Sequence, residues 1–231
     1  MQDAFVLHIR PYRESSQLLE VFTRQDGRIS LLVKGSRSKR SNLKGLLQPF
    51  TLLSLAWGGK GQLKYIRSVE PQTHALPLPG DKLYLGLYLN ELLYRLLEHL
   101  TPYTHLFEHY QQTLLALAKS QHYEPILRCF ELDLLTALGY AIDFDLAADT
   151  YEPIVAETYY RLDMEQGFIR AEQGDKEAFW GGHIRALAAR DFTTPGQAQA
   201  AKRFCRMLIQ HNLGNQPLIS RQLFIQQRNK G

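Results

Sequence analysis

Two glycine-rich turn signals constrain the first 70 residues. Asp26-Gly27 separates "SQLLEVFTR" from "RISLLVKG", and the run "GGKG" at Gly58 to Gly61 separates "FTLLSLAW" from "QLKYIRSVE". Glycine tolerates the positive φ of tight turns, so each signal between β-rich runs predicts a hairpin. "AFVLHIRPY", apolar over Phe5–Ile9, supplies a fifth strand. Five short strands with two hairpins and one long link suit a small closed or partly open barrel.

The long link joins the third strand to the fourth and carries an unusual charge pattern. Over Val33–Lys44 it contains Lys34, Arg37, Lys39, Arg40 and Lys44 and no acidic residue. Residues 1–80 hold twelve Lys/Arg against five Asp/Glu, a net +7, and the rest of the chain holds fifteen against eighteen, a net −3. A basic module joined to a mildly acidic one is implied. Many basic loops are only solvated surface. Here Gly35, Ser36, Ser38, Ser41, Asn42 and Gly45 are interleaved with the cations, which lets backbone N–H groups approach phosphates. Tyr12, Phe22, Phe50, Trp57 and Tyr65 are aromatic candidates for stacking on bases, though a core position is the commoner role of each.

The segment "PQTHALPLPGDK", with three prolines and a glycine, marks the predicted boundary between a domain at 1–79 and one at 80–231. Beyond it the apolar period becomes helical. A helix capped by Asp81 is predicted, its apolar residues including Leu83, Leu87, Leu92, Leu93 and Leu96. Further helices are predicted near 103–119, 124–138, 176–189 and 195–211, with a short hairpin within 154–172. Pro125 suits a first helical turn and Gly139 a helix end.

No constellation of catalytic residues emerges, and no enzymatic activity or cofactor is expected. The chain lacks a Walker-type glycine loop and a Gly-x-Ser-x-Gly elbow. Its two cysteines, Cys129 and Cys205, are far apart, which excludes a Cys-x-x-Cys site and suits a reducing, cytoplasmic setting. His105 and His109 have metal-ligand spacing, but only Glu108 is near as a third ligand, so no metal site is expected. No apolar run approaches the ~20 residues of a membrane-spanning helix. The N-terminus has no basic start followed by an apolar run, so no secretory signal is expected.

In "EPILRCFELDLLTALGY", Ile126, Phe130, Leu134 and Ala137 form a helical stripe expected to pack inward. Arg128, Leu132 and Leu135 fall on another side. A cation beside exposed leucines would dock an acidic peptide with an apolar end; burial of both stripes, with Arg128 paired to an acid, is the favoured reading from these residues alone.

The segment "AFVLHIRPYRESSQLLEVFTRQDGRISLLVKGSRSKRSNLKGLLQPF" closely resembles the N-terminal part of the RecO family of bacterial DNA repair proteins, in its gammaproteobacterial form. "ALPLPGDKLYLGLYLNELLYRLLE", "LRCFELDLLTALGY" and "AAKRFCRMLIQHNLGNQPLISRQLF" extend the likeness over almost the whole chain. The resemblance implies an α+β chain: a five-stranded OB-fold barrel, then a mainly α-helical domain with a small hairpin. It implies binding of single- and double-stranded DNA, annealing of complementary strands, and loading of RecA together with RecR in the RecF pathway, near the nucleoid. It also implies docking of the acidic, apolar-ended C-terminal tail of single-stranded DNA-binding protein (SSB). Lys34, Arg37, Lys39, Arg40 and Lys44 match the family's DNA-contacting segment, and Arg128, with Leu132 and Leu135, its tail-binding region. Many relatives carry a four-cysteine zinc motif where residues 140–175 here have no cysteine, so no zinc motif is expected. Two other functions compete. One is a protein-only adaptor whose basic loop binds an acidic partner, and the other is a nucleic-acid enzyme, for which no clustered acidic ligands speak.

Overall fold

A computed structural model describes residues 1–36, 43–59, 64–140, 142–214 and 216–228. The chain divides into two compact units, Met1–Gln121 with Gln216–Gly231, and His122–Asn215. The prolines near 71–79 mark the change from strands to helices, but packing draws its line after Gln121. The helices over 81–119 belong with the barrel.

In the first unit, β1 (Gln2–Tyr12), β2 (Ser16–Thr23), β3 (Gly27–Val33), β4 (Leu53–Gly58) and β5 (Lys64–Pro71) form a closed barrel in the order β1-β2-β3-β5-β4. The β3–β5 pair is parallel, and the other pairs, including the closing β1–β4 pair, are antiparallel. Period-2 alternation directs Ala4, Val6, Leu19, Val21, Ile29, Leu31, Val33, Leu53 and Leu55 into the barrel, where they are buried together. The link between β3 and β4 contains one described turn of helix, α1 (Leu43–Leu46).

Helices α2 (Asp81–Leu96) and α3 (Thr104–Lys119) cover the outer face of the β1–β2 region. Phe5 and Phe22 meet Phe107 and Tyr110 of α3, with ring centroids 5.1–6.4 Å apart. The buried stripe of α2 runs through Leu85, Leu89, Leu92 and Leu93, whereas Leu83 is exposed. Asp81 is not the cap: Gly80 precedes the helix, and Asp81 sits in its first turn, where a carboxylate favours the helix dipole.

Register shifts by a bulge between Val6 and His8. The amide of buried Asn90 donates to the Val6 carbonyl at 3.2 Å and the Leu7 carbonyl at 3.4 Å, and its oxygen accepts from the Tyr110 hydroxyl. Burial pushes the Tyr110 pKa above its ordinary value, so the phenol stays a donor. Asn90→Leu leaves two carbonyls and a hydroxyl without this partner in the interior and is expected to cost about 3 kcal/mol. A lowered urea midpoint with unchanged m-value would measure it; an unchanged midpoint would contradict it.

Helix α7 (Ile219–Arg228) packs on α2, although no helix is predicted there from the sequence. Its first turn is capped from outside: the Glu91 carboxylate accepts from the Ile219 and Ser220 N–H groups at 2.9 and 2.8 Å.

The second unit contains α4 (Glu124–Ala137), β6 (Tyr159–Asp163), β7 (Gly167–Arg170), β8 (Phe179–Trp180), α5 (Gly181–Ala189) and α6 (Pro195–Leu213). Pro125 lies in the first turn of α4. Its end is a Schellman motif: Gly139 has φ 89°, its N–H reaches the Thr136 carbonyl, and the Tyr140 N–H reaches the Leu135 carbonyl. The β6–β7 hairpin falls where expected. The helix expected over 176–189 begins only at Gly181, because Phe179 and Trp180 pair with β6 as β8. In the cysteine-free segment and around it, Phe144 joins Phe168, Phe179 and Phe204, with contacting ring centroids 5.4–6.4 Å apart. This aromatic cluster ties the 143–155 loop to β7, β8 and α6.

Candidate nucleic-acid interface

The basic run leaves the barrel at the end of β3 and returns at α1, which packs against β5. Lys34 is exposed and forms no ion pair with a described carboxylate. Arg37, Lys39 and Arg40 lie outside the described residues, as does the side chain of Lys44.

Not every cation of the basic module is available to a ligand. Arg24 is held by Asp3 at 3.3 Å and Glu108 at 2.9 Å. Arg28 donates to buried Glu20 at 3.1 Å and to the Leu97 carbonyl at 3.0 Å. Beside it, His99 Nε2 accepts from the Ser30 N–H at 3.2 Å. Burial, and then the Arg28 charge, lower the His99 pKa, which keeps that nitrogen an acceptor. These groups anchor the α2–α3 connection to the outer face of β3.

The five aromatic candidates separate clearly. Phe22 and Phe50 are buried. Trp57 packs half-buried against the barrel core, and Tyr12 is half-buried beneath the Arg13 guanidinium, 5.4 Å from its ring centroid. Tyr65 is 40% exposed. On β5, period-2 alternation sends Ile66 inward and leaves Tyr65 and Arg67 outside. Tyr65 faces Gly58 across the β4–β5 ladder and Leu32 across the β3–β5 ladder. The Arg67 guanidinium carbon is 5.8 Å from the Tyr65 ring centroid. Its side chain lies across Gly58, where a methyl group would sit only 2.3 Å from Arg67 Nε. The sequence reading named Tyr65 but missed its partners Arg67 and Gly58.

In the second unit the α4 residues are not arranged as an exposed dock. Leu132 and Leu135 are 6% and 2% exposed, so both are core residues. Arg128 donates to Glu131, itself fully buried, at 2.7 Å. Leu127 replaces Ile126 as the first buried position of the helix, and Ala137 is exposed. The exposed dock, leucines beside a cation, is therefore not what α4 presents: Leu132 and Leu135 are covered and Arg128 is paired with an acid, as the reading favoured from these residues alone has it. Cys205 of α6 is buried, and burial, then the Glu131 charge, raise its thiol pKa well above the ordinary value, which makes it a structural thiol.

His105 and His109 are both exposed on α3. Among the described residues no group of three or more His, Cys, Asp or Glu could hold a metal ion, and no helix is long and apolar enough to cross a membrane.

Comparison with known proteins is consistent along the chain. Residues 1–74 match the family model "Recombination protein O N terminal", and residues 79–222 match "Recombination protein O C terminal". A curated relative from Vibrio vulnificus (strain CMCP6), named DNA repair protein RecO, is 49% identical over 228 residues, covering 99% of this chain and 94% of the relative. Relatives of the same name from Klebsiella pneumoniae subsp. pneumoniae and Proteus mirabilis are each 50% identical over 226 residues, covering 97% of this chain and 92% of theirs. With both halves matched and half the residues shared over nearly full length, the chain belongs to the recombination protein O family.

Proposed function

We propose that this chain is a DNA-binding, strand-annealing mediator of recombination repair that performs no covalent chemistry. The observation that carries the reading is the cation run Lys34–Lys44, which falls in the sequence between β3 and β4 of a closed five-stranded barrel, in a chain whose relatives are named for DNA repair. Cationic side chains on two phosphate backbones release condensed counterions and screen the repulsion between the strands. Duplex formation is then downhill, so no nucleotide hydrolysis is required. Single strands and duplexes both present the phosphates that such a run recognises. The test is the annealing rate of complementary oligonucleotides with and without the cations, whose expected size is argued in the Discussion.

Recruitment by SSB, and RecA loading together with RecR in the RecF pathway, complete the proposal. The match of Arg128 to the family's tail-binding region supports a cation-led contact with the SSB tail, but the buried leucines do not supply its apolar part. Arg128→Ala alone would take the neutralising cation away from buried Glu131, a loss of about 3 kcal/mol or more. The variant for the test therefore combines Arg128→Ala with Glu131→Gln. A fall of about tenfold in affinity for an SSB tail peptide, equivalent to losing about 1.4 kcal/mol, is expected with unchanged affinity for single-stranded DNA. Unchanged peptide affinity would remove Arg128 from the dock.

A further inference from the structure

The barrel's outer surface is unevenly covered. On β1 and β2, Phe5 and Phe22 lie beneath Phe107 and Tyr110 of α3. On β3, Arg28 and Ser30 are engaged by Leu97 and His99. The outward positions of β5 are different: Tyr65 and Arg67 are both exposed. Tyr65 sits between Gly58 and half-buried Leu32 in the strand ladders, and two residues beyond Leu32 the chain reaches exposed Lys34. From there the basic run departs, and it returns as α1 against β5. An aromatic ring, an arginine and both described ends of the cation run thus share one flank of the barrel.

We infer that Tyr65 is the base-stacking platform of this surface, with Arg67 as its paired phosphate contact and Gly58 as the floor that holds Arg67 in place. The occupant is single-stranded nucleic acid, because stacking on the exposed ring needs a base with an unpaired π face, and the exposed cations of this flank, Arg67 and Lys34, have no carboxylate partner among the described residues. Tyr65 has a polar hydroxyl and an exposed ring, which suits a base that must also leave. The arginine leans towards the ring without a carboxylate partner among the described residues. Gly58 matters because any side chain there would occupy the space of the guanidinium. Since the obstructed atoms are the far end of a flexible side chain, Gly58→Ala displaces Arg67 without disturbing the barrel. The inference rests on the nucleic-acid-binding reading and adds the residues that contact bases rather than backbone.

The experiment compares the full chain binding a thymidine oligonucleotide with an abasic oligonucleotide of equal length and charge. Tyr65→Ala is expected to weaken thymidine binding about tenfold and abasic binding hardly at all, because stacking requires a base. Tyr65→Phe, which keeps the ring, should retain wild-type thymidine affinity. Arg67→Ala should weaken both ligands and make the salt slope shallower by about 0.7, the contribution of one single-strand phosphate contact. Gly58→Ala should shift both affinities in the same direction as Arg67→Ala. Equal losses for both oligonucleotides in Tyr65→Ala, or loss in Tyr65→Phe, would overturn the stacking role while leaving nucleic-acid binding intact. A wild-type chain that binds neither oligonucleotide would overturn both readings together.

Discussion

Replacing Lys39, Arg40 and Lys44 together by alanine is expected to weaken single-stranded DNA binding about 100-fold at 0.1 M salt. Each cation that neutralises a single-strand phosphate contributes about −0.7 to the slope of log affinity against log salt. Five contacts from Lys34, Arg37, Lys39, Arg40 and Lys44 correspond to a slope of about −3.5, and removing three leaves about −1.4. The curves of the two proteins should therefore converge as salt approaches about 1 M, where counterion release no longer drives binding. The annealing rate should fall in parallel, because the same screening brings the strands together. These residues fall between β3 and β4 in the sequence, and thermal unfolding of the variant should match that of the wild type. Equal affinities and annealing rates for variant and wild type would show that the run does not contact DNA.

Gly27→Ala should be the most damaging single methyl group in the first unit. Gly27 opens β3 with φ 68°, a left-handed conformation that costs a side-chain-bearing residue about 1 kcal/mol or more. A methyl there would also lie 1.7 Å from the Thr101 carbonyl oxygen, a backbone atom that cannot rotate away. The segment before Thr101 is fixed to β3 by the Leu100 N–H on the Arg28 carbonyl at 2.9 Å, by Arg28 on Leu97 and by His99 on Ser30. Making room means lifting that connection off the barrel. A loss of about 3 kcal/mol or more is expected, and a midpoint lower by roughly 10 °C. Gly35→Ala is the control. Gly35 has φ 67° but nothing among the described residues within 4 Å of its added methyl, so only the smaller backbone strain applies. Equal melting temperatures for the two variants would contradict the packing argument.

The parts of this fold that read directly from sequence are those whose cause is local. Asp26-Gly27 and the alternation of Leu19, Val21, Ile29 and Leu31 dictate a hairpin without reference to anything distant. The start of α6 falls at 195, as the helical spacing predicts, and the structure shows its cause to be equally local, a Thr194–Gln197 capping box with Pro195 in the first turn. Helix α7 was invisible because its N–H groups are capped by Glu91, a residue more than a hundred positions earlier. Strand β8 is two residues long and exists only because β6 offers Tyr159 and Tyr160 as partners. On α4, sequence spacing placed Leu132 and Leu135 on a separate side from Phe130, correctly. Whether that side meets solvent depends on packing, which periodicity does not encode. The Tyr65–Arg67 pair was half legible: alternation puts both on one face, but only the strand register reveals Gly58 opposite, with room for the arginine.

The most direct test of the account is the affinity of the wild-type chain for a single-stranded oligonucleotide across a series of salt concentrations. A cation run that neutralises about five phosphates predicts a log–log slope of about −3.5. A slope near zero, with DNA affinity indifferent to salt, would contradict it and point instead to a run that recognises an acidic protein surface.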